Sequence, residues 1–331
     1  MQTSSLGKLA IVFVIISLSF NVASFSYEGF TFVSIADFLN NDIPPKGWRP
    51  TLDKTLGSIK AENPEFVLVP GDMVLGRWYF NQLHRKADRV YANWQKRMHQ
   101  YGLKYYTAVG DHEIGDLPTS NFPIIYQLIP EYLKAYKDSF EFPKNGPEGL
   151  KELAYYFKHK NALFVTLYTF SRGSGKVRTK ISQNQLNWLN EVLSKNDSDF
   201  TVVQGHVPIL PVESKSRHSG GLIYENGRKS ELWQLMAKQD VDLYLCGERH
   251  VLDVAWSDGI TQIVHGSILG KANSVNYVLA IVSNKRLKIK LKRIEVRNRD
   301  LSWHFTFAGP FYNKIIPVGS FATVKTLTID S

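Results

Sequence analysis

Tyr105-Tyr106-Thr107-Ala108-Val109-Gly110-Asp111-His112-Glu113 is the stretch around which the remaining chain is organised. Its first five residues make an apolar, strand-like run that Gly110 stops abruptly. Asp111, His112 and Glu113 then emerge just beyond a strand C-terminus, the usual place for ligands in α/β folds. Two carboxylates and an imidazole on adjacent residues suit a metal site with an acid beside it. Met alone, the same tetrapeptide also reads as a solvated turn. Its meaning depends on whether other strands end in the same way.

Upstream, Phe30-Thr31-Phe32-Val33-Ser34-Ile35-Ala36-Asp37 reads as a short strand ending in an acid. A loop with Pro44 and Pro45 and a helical pattern through Leu52, Leu56 and Ile59 lead to Phe66-Val67-Leu68-Val69, which runs into Pro70-Gly71-Asp72. Residues 81–101 read as a long amphipathic helix. Strand–helix alternation with an acid at each strand end predicts a parallel sheet whose site lies at its carboxyl edge. Residues 114–153, with five prolines, read as an irregular insertion, either a lid or a surface decoration. Downstream, residues 154–159 and 162–170 flank a two-residue turn and predict a hairpin. Ser182 reads as the N-cap of a helix carrying Leu186, Trp188, Leu189 and Leu193. Strand 200–203 ends in Gln204-Gly205-His206, and strand 241–245 runs into Cys246-Gly247-Glu248-Arg249-His250. Five strand ends thus carry possible ligands: Asp37, Asp72, Asp111 with His112, His206, and Glu248 with His250. Singly each is a capping or turn residue; together they describe one site. Hard oxygens mixed with imidazoles suit Mn, Fe, Zn or Mg, and a shared aspartate can bridge two ions.

The 331 residues are 44% hydrophobic and carry a net charge of +10. That length fills one large core or two modest ones. The densest basic run, residues 285–293, alternates basic and apolar side chains and reads as a solvated edge strand. No zinc-finger or RNP-type pattern accompanies the charge, so nucleic acid is not the expected partner. Residues 1–26 hold Lys8, an apolar run over 9–20 and small residues at Val22-Ala23-Ser24. A run this short suits a cleaved signal peptide rather than a membrane span, so secretion or delivery to a periplasm is expected. Membrane attachment would require that signal to stay uncleaved. The single cysteine, Cys246, sits in an apolar run and excludes an intrachain disulfide. Arg217, His218 and His265 are lesser candidates for phosphate contact, and Trp78 and Tyr79 for a pocket mouth, each also explained by packing or surface placement.

In order, Ala36-Asp37-Phe38-Leu39, Gly71-Asp72-Met73-Val74, Gly110-Asp111-His112-Glu113, Gly205-His206-Val207-Pro208 and Gly247-Glu248-Arg249-His250 make a series. The series resembles the calcineurin-like metallophosphoesterase superfamily, within it the secreted, purple-acid-phosphatase-like branch. Phe142-Pro143-Lys144-Asn145-Gly146 and the helix Ser182-Gln183-Asn184-Gln185-Leu186-Asn187-Trp188-Leu189 are similar to linking segments of that family. The resemblance covers about residues 30–290. It implies an α/β, four-layer α/β/β/α sandwich with the site at strand C-terminal ends. Residues 1–24 are expected to be a signal peptide, 27–294 the phosphoesterase domain that the resemblance implies, with 114–153 as lid or insertion, and 295–331 a β-rich tail. Asp37, Asp72 and His250 would hold one divalent ion; Asp72, Asp111, His206 and Glu248 the second. Metal-activated hydroxide would attack phosphorus in line, most simply in a phosphomonoester or other phosphorylated substrate. His112 would serve the leaving oxygen, with Glu113 orienting its imidazole.

This chain departs from the family at four places. Leu39 cannot ligate, Leu75 replaces the purple-phosphatase tyrosine, Asp111 stands for asparagine and Glu248 for histidine. The first ion would keep three protein ligands and no purple colour. The second site would be more anionic and harder, favouring Mn, Mg or Ca. The competing reading is a pseudo-phosphatase, weak or inactive, that binds a phospho-ligand or an envelope partner. A salt-sensitive nuclease or phosphodiesterase is the third.

Overall fold

The computed structural model describes residues 29–39, 49–76, 87–213, 219–266, 274–298, 304–306, 309–311 and 315–331. The expected signal peptide, the Pro44-Pro45 loop, Trp78, Tyr79, Arg217 and His218 lie outside the described residues, as does the start of the 81–101 helix.

Alternation of side chains along each strand builds the core. Strand β1 (Phe30–Ser34), helix α1 (Arg49–Ala61), β2 (Phe66–Val69), α2 (Ala87–Gln100) and β3 (Tyr105–Thr107) follow one another, and the three strands pair in parallel. Phe32, Phe66 and Leu68 face inward, while Val33, Val67 and Val69 pack outward with Leu52, Leu56 and Ile59 of α1. After α3 (Pro123–Ser139) come β4 (Tyr155–His159) and β5 (Ala162–Thr166), the expected antiparallel hairpin, then a small hairpin, β6 (Ser171–Gly173) and β7 (Lys176–Arg178). Helix α4 (Gln183–Ser194), β8 (Phe200–Gln204), α5 (Glu231–Lys238), β9 (Leu243–Cys246), β10 (Asp253–Ser257) and β11 (Ile260–Val264) complete the second sheet, ordered β10-β11-β9-β8-β5-β4. Strands β12 (Ser274–Ser283) and β13 (Arg286–Asn298), a short hairpin β14 (His304–Thr306) and β15 (Gly309–Phe311), and β16 (Ile315–Asp330) follow. The first sheet runs β16-β13-β12-β1-β2-β3. Phe32, Phe66, Val278 and Ile289 of the first sheet meet Phe164, Val202, Leu243 and Ile263 of the second in one apolar layer. The expected α/β/β/α sandwich is the architecture found.

Three expectations are corrected. Residues 114–153 are not irregular: α3 takes up 17 of them and buries Ile125, Ile129, Tyr132 and Tyr136. Pro123 sits at the helix start, where its missing N–H costs nothing, so the proline count misled. The basic strand is β13, and it lies between β12 and β16 rather than at the edge. Its Leu287, Ile289 and Leu291 are buried, as its alternation required. Residues 295–331, expected as a β-rich tail, are strands where described, but the 294/295 boundary falls inside β13, and β16 is the outermost strand of the first sheet.

Candidate metal centre

Both sheets end at one rim. Asp37 and Asp72 lie three residues beyond β1 and β2, Asp111 four beyond β3, and His206 and Glu248 two beyond β8 and β9. Four of the six expected ligands sit on backbone in the left-handed region: Asp37 (φ 57°), Asp72 (φ 56°), Glu248 (φ 69°) and His250 (φ 53°). For residues with a Cβ this conformation costs on the order of 1–3 kcal/mol each and concentrates at functional sites. Close approach of the loops demands glycine beside them. A Cβ on Gly110 would collide with Asp72 Oδ1, and one on Gly76 (φ 64°) with His112 O.

The six expected metal ligands come together in two groups that share Asp72. Ligand atoms of Asp72, Asp111, His206 and Glu248 all lie within 4.8 Å of one another, and so do those of Asp37, Asp72 and His250. His206 Nε2 is 3.0 Å from Asp111 Oδ1, 3.4 Å from Asp72 Oδ1 and 3.5 Å from Glu248 Oε2, while its Nδ1 donates to Pro70 O at 2.8 Å. Glu248 N–H donates to Asp37 Oδ1 at 3.1 Å, linking the two sheets. Asp37 Oδ2 and Asp72 Oδ2 are buried with no hydrogen-bond partner. Buried carboxylate oxygens without donors are what divalent cations bind, so the residues present fit such a cation.

Electrostatics point the same way. Burial pushes the Asp37 carboxyl up to about 7, against the pull of His206. Asp72 is raised well above the carboxylate range, by burial first and by Asp111 and Glu113 nearby, again opposed by His206. For Asp111 burial acts upward, but the imidazoles of His112 and His206 outweigh it and hold it below the usual range. Burial lowers His206, yet Asp72, Asp111 and Glu248 outweigh that and keep it well above an ordinary histidine.

His112 and Glu113 do not form the expected pair. Glu113 is fully buried and its carboxylate accepts backbone N–H groups from Gly110 (2.7 Å), Asp72 (2.9 Å) and Val74 (3.3 Å). It clamps two strand-end loops together. The His112 ring is instead held by Nδ1 donating to Leu75 O, and its Nε2 lies 3.7 Å from Asp72 Oδ2 and 4.0 Å from Asp116 Oδ1. Leu75, the departure from the tyrosine pattern, thus contributes through its backbone. Leu39 is buried in the apolar core, away from any ligand role. His265 is fully buried, hydrogen-bonded to Ser34 Oγ at 2.8 Å, and lowered to about 3 by burial: a packed histidine.

A family model for the calcineurin-like phosphoesterases matches residues 30–252. The chain belongs to that family. It is a hydrolase of phosphate esters, built on that family's metal-dependent scaffold. No curated protein sequence matches it. Among solved structures, a dimetal phosphatase from Danio rerio is similar over 91% of this chain and 98% of its own, at 17% identity and a TM-score of 0.57. A purple acid phosphatase from yellow lupin seeds covers 92% of this chain and 54% of its own, at 14% identity and a TM-score of 0.59. GAP50, the anchor in the inner membrane complex of Plasmodium, covers 81% of this chain and 84% of its own, at 19% identity and a TM-score of 0.50. These likenesses concern the fold.

Sequence reasoning about this phosphoesterase missed Asp116. With Asp111 and His112 it forms a third group of ligand-type atoms within 4.8 Å. Its place four residues after His112, in the same turn, was the available clue. The strap Ser219–Leu222 was also missed: Leu222 N–H and Ser219 Oγ donate to Glu248 Oε1 at 2.9 and 3.2 Å. No pattern in those small residues announces the contact.

Proposed function

We propose that the chain is a phosphomonoesterase using two divalent ions, one held by Asp37, Asp72 and His250 and the other by Asp72, Asp111, His206 and Glu248. The observation that carries this reading is the shared Asp72, whose oxygens belong to both groups of ligand atoms. When bound, such ions supply Lewis acidity that activates water and draws charge from the phosphoryl oxygens. The chain's own residues do the rest. His112, with Nδ1 tied to Leu75 O, presents Nε2 and delivers a proton from it to the leaving oxygen. Asp72 Oδ2 and Asp116 Oδ1 lie 3.7 and 4.0 Å from that nitrogen. Glu113 keeps the two loops in register through its backbone bonds rather than touching substrate. The testing experiment is hydrolysis of an aryl phosphate alongside metal analysis. Two equivalents of metal and activity abolished by chelator are expected; turnover indifferent to chelator would sink the proposal.

A second reading, a pseudo-phosphatase that binds a phospho-ligand, is favoured by Leu39, since its burial leaves the first group with three ligands. Metal-replete protein without turnover, in which Leu39→His with Glu248→His restores activity, would establish it. We also propose export, supported by the apolar run at residues 9–20. Among the described residues no helix is long and apolar enough to cross a membrane. An unprocessed N-terminus on the purified protein would count against export.

A further inference from the structure

Val278, Ala280 and Val282 make an apolar, inward-facing row along β12. Alternation puts Asn276 in the same row, yet it is an amide and only 2% exposed. Because β12 runs antiparallel to β1, its start stands at the rim where β1 ends. Both ends of the amide bond a single residue there. Gly266 N–H donates to Asn276 Oδ1 at 2.9 Å, and Asn276 Nδ2 donates to Gly266 O at 3.2 Å. A side chain thus gives Gly266 the two backbone bonds that a neighbouring strand would give. Buried backbone groups need such partners, but a polar residue in an apolar row is a costly way to supply them.

What Gly266 touches explains the arrangement. His265 N–H donates to Cys246 O at 3.0 Å, so Gly266 and Gly247 leave the ends of β11 and β9 side by side. The Asp37 carboxylate lies against both. A Cβ on Gly266 (φ 123°) would stand 2.7 Å from Asp37 Oδ2, and one on Gly247 would stand 2.8 Å from Asp37 Oδ1. Oδ1 also accepts Glu248 N–H, whereas Oδ2 is buried with no hydrogen-bond partner. Contact with Gly266, and not a donor, therefore limits where Oδ2 can go. This oxygen belongs to the group of Asp37, Asp72 and His250, which Leu39 leaves with three ligands. With so few, the pose of each ligand weighs heavily on whether an ion is held, and the residues behind the ligands set that pose.

We propose that Asn276 is a positioning residue for the three-ligand ion. It locks Gly266 against Asp37, so that the carboxylate keeps the pose that brings it within 4.8 Å of the ligand atoms of Asp72 and His250. The inference rests on the two-ion reading and adds to it a residue outside both ligand groups.

Mn²⁺ is the probe, titrated by calorimetry into the metal-free whole protein, with thermal melting alongside. The wild type is expected to take up two equivalents. In Asn276→Ala one equivalent should bind as in the wild type and the other about 10–100-fold more weakly, the usual loss when a residue behind a metal ligand is removed. Asp37→Asn should weaken the same equivalent, and adding Asn276→Ala to it should change nothing further. An amide that merely holds the fold would lower the melting temperature of the metal-free protein and leave both ions at wild-type affinity. That result overturns the proposal, as does equal weakening of both ions or a further loss in the double variant. Should Asn276→Ala fail to fold, Gly266→Ala carries the test, since its methyl group meets Asp37 Oδ2 directly. Two equivalents at wild-type affinity in that variant are equally fatal. A wild type that binds fewer than two ions sinks the two-ion reading and this inference with it. One that binds two, loses one in Asn276→Ala and hydrolyses no aryl phosphate sinks the enzyme reading alone.

Discussion

Asp72 pays for its position in three ways: burial, a left-handed backbone (φ 56°) and an Oδ2 without a donor. A residue kept under those conditions is expected to matter chemically. Asp72→Asn leaves the shape but removes the one carboxylate charge common to both ligand groups. It should cut aryl phosphate hydrolysis about a hundredfold or more, with metal content falling in parallel. His112→Asn makes a sharper distinction. Its ring belongs to neither of the two main ligand groups, so kcat should drop by roughly 10²–10⁴ while metal content stays at the wild-type level. Loss of metal together with rate would reassign His112 as a ligand.

At the scale of elements, the site depends on loops that no hydrophobic pattern holds. Glu113 ties the turn after β2 to the turn after β3 through Asp72 N–H and Gly110 N–H. Glu113→Ala would orphan these buried donors at about 1–3 kcal/mol each, so a lowered urea midpoint is expected along with lost activity. Glu113→Gln keeps an acceptor oxygen and should recover part of the stability. If Glu113 instead oriented the His112 ring, Glu113→Ala would lower kcat without moving the midpoint. Helix caps behave more simply. Ser182 accepts from Gln185 N at 3.3 Å, as the pattern before α4 required, and Ser230 does the same for Trp233 N at 3.3 Å before α5. Helix α3 shows where local reading failed. Its apolar residues 125, 129, 132 and 136 keep helical spacing, but the prolines around them carried more weight than they should have.

For the whole molecule, the rim couples folding, protons and metal. In the metal-free protein Asp37 is pushed up to about 7, whereas the unfolded carboxyl titrates near 3.8. The stability this confers is full below about 3.8 and is lost progressively as pH rises to 7. His206, raised above 6.5 against its burial by the surrounding carboxylates, contributes stability that is full below 6.5 and is lost above it. Both act in the same sense. Metal-free protein should therefore melt lower at pH 8 than at pH 5.5, by on the order of 5 °C. Divalent metal displaces those protons, so the rise in melting temperature on adding Mn²⁺ should be larger at pH 8. A metal-free melting temperature that climbs between pH 5.5 and 8 would contradict this account of the centre.

The candidate ligands and their order along the chain were readable from residues alone, because acids and histidines just past several apolar runs fall together at strand ends. Strand–helix alternation likewise indicated the parallel strands β1, β2 and β3, while the antiparallel strands beside them were set by the folded chain. Partners were not readable. Asp111 and His206, 95 positions apart, meet at 3.0 Å because two sheets face each other, and strand periodicity encodes a face rather than a neighbour. For the same reason β13 lies inside its sheet and not at its edge, and Glu113 serves backbone amides rather than an imidazole. The left-handed turns at Asp37, Asp72, Glu248 and His250 also arise only in the folded chain, where packing holds backbone that local preference would release.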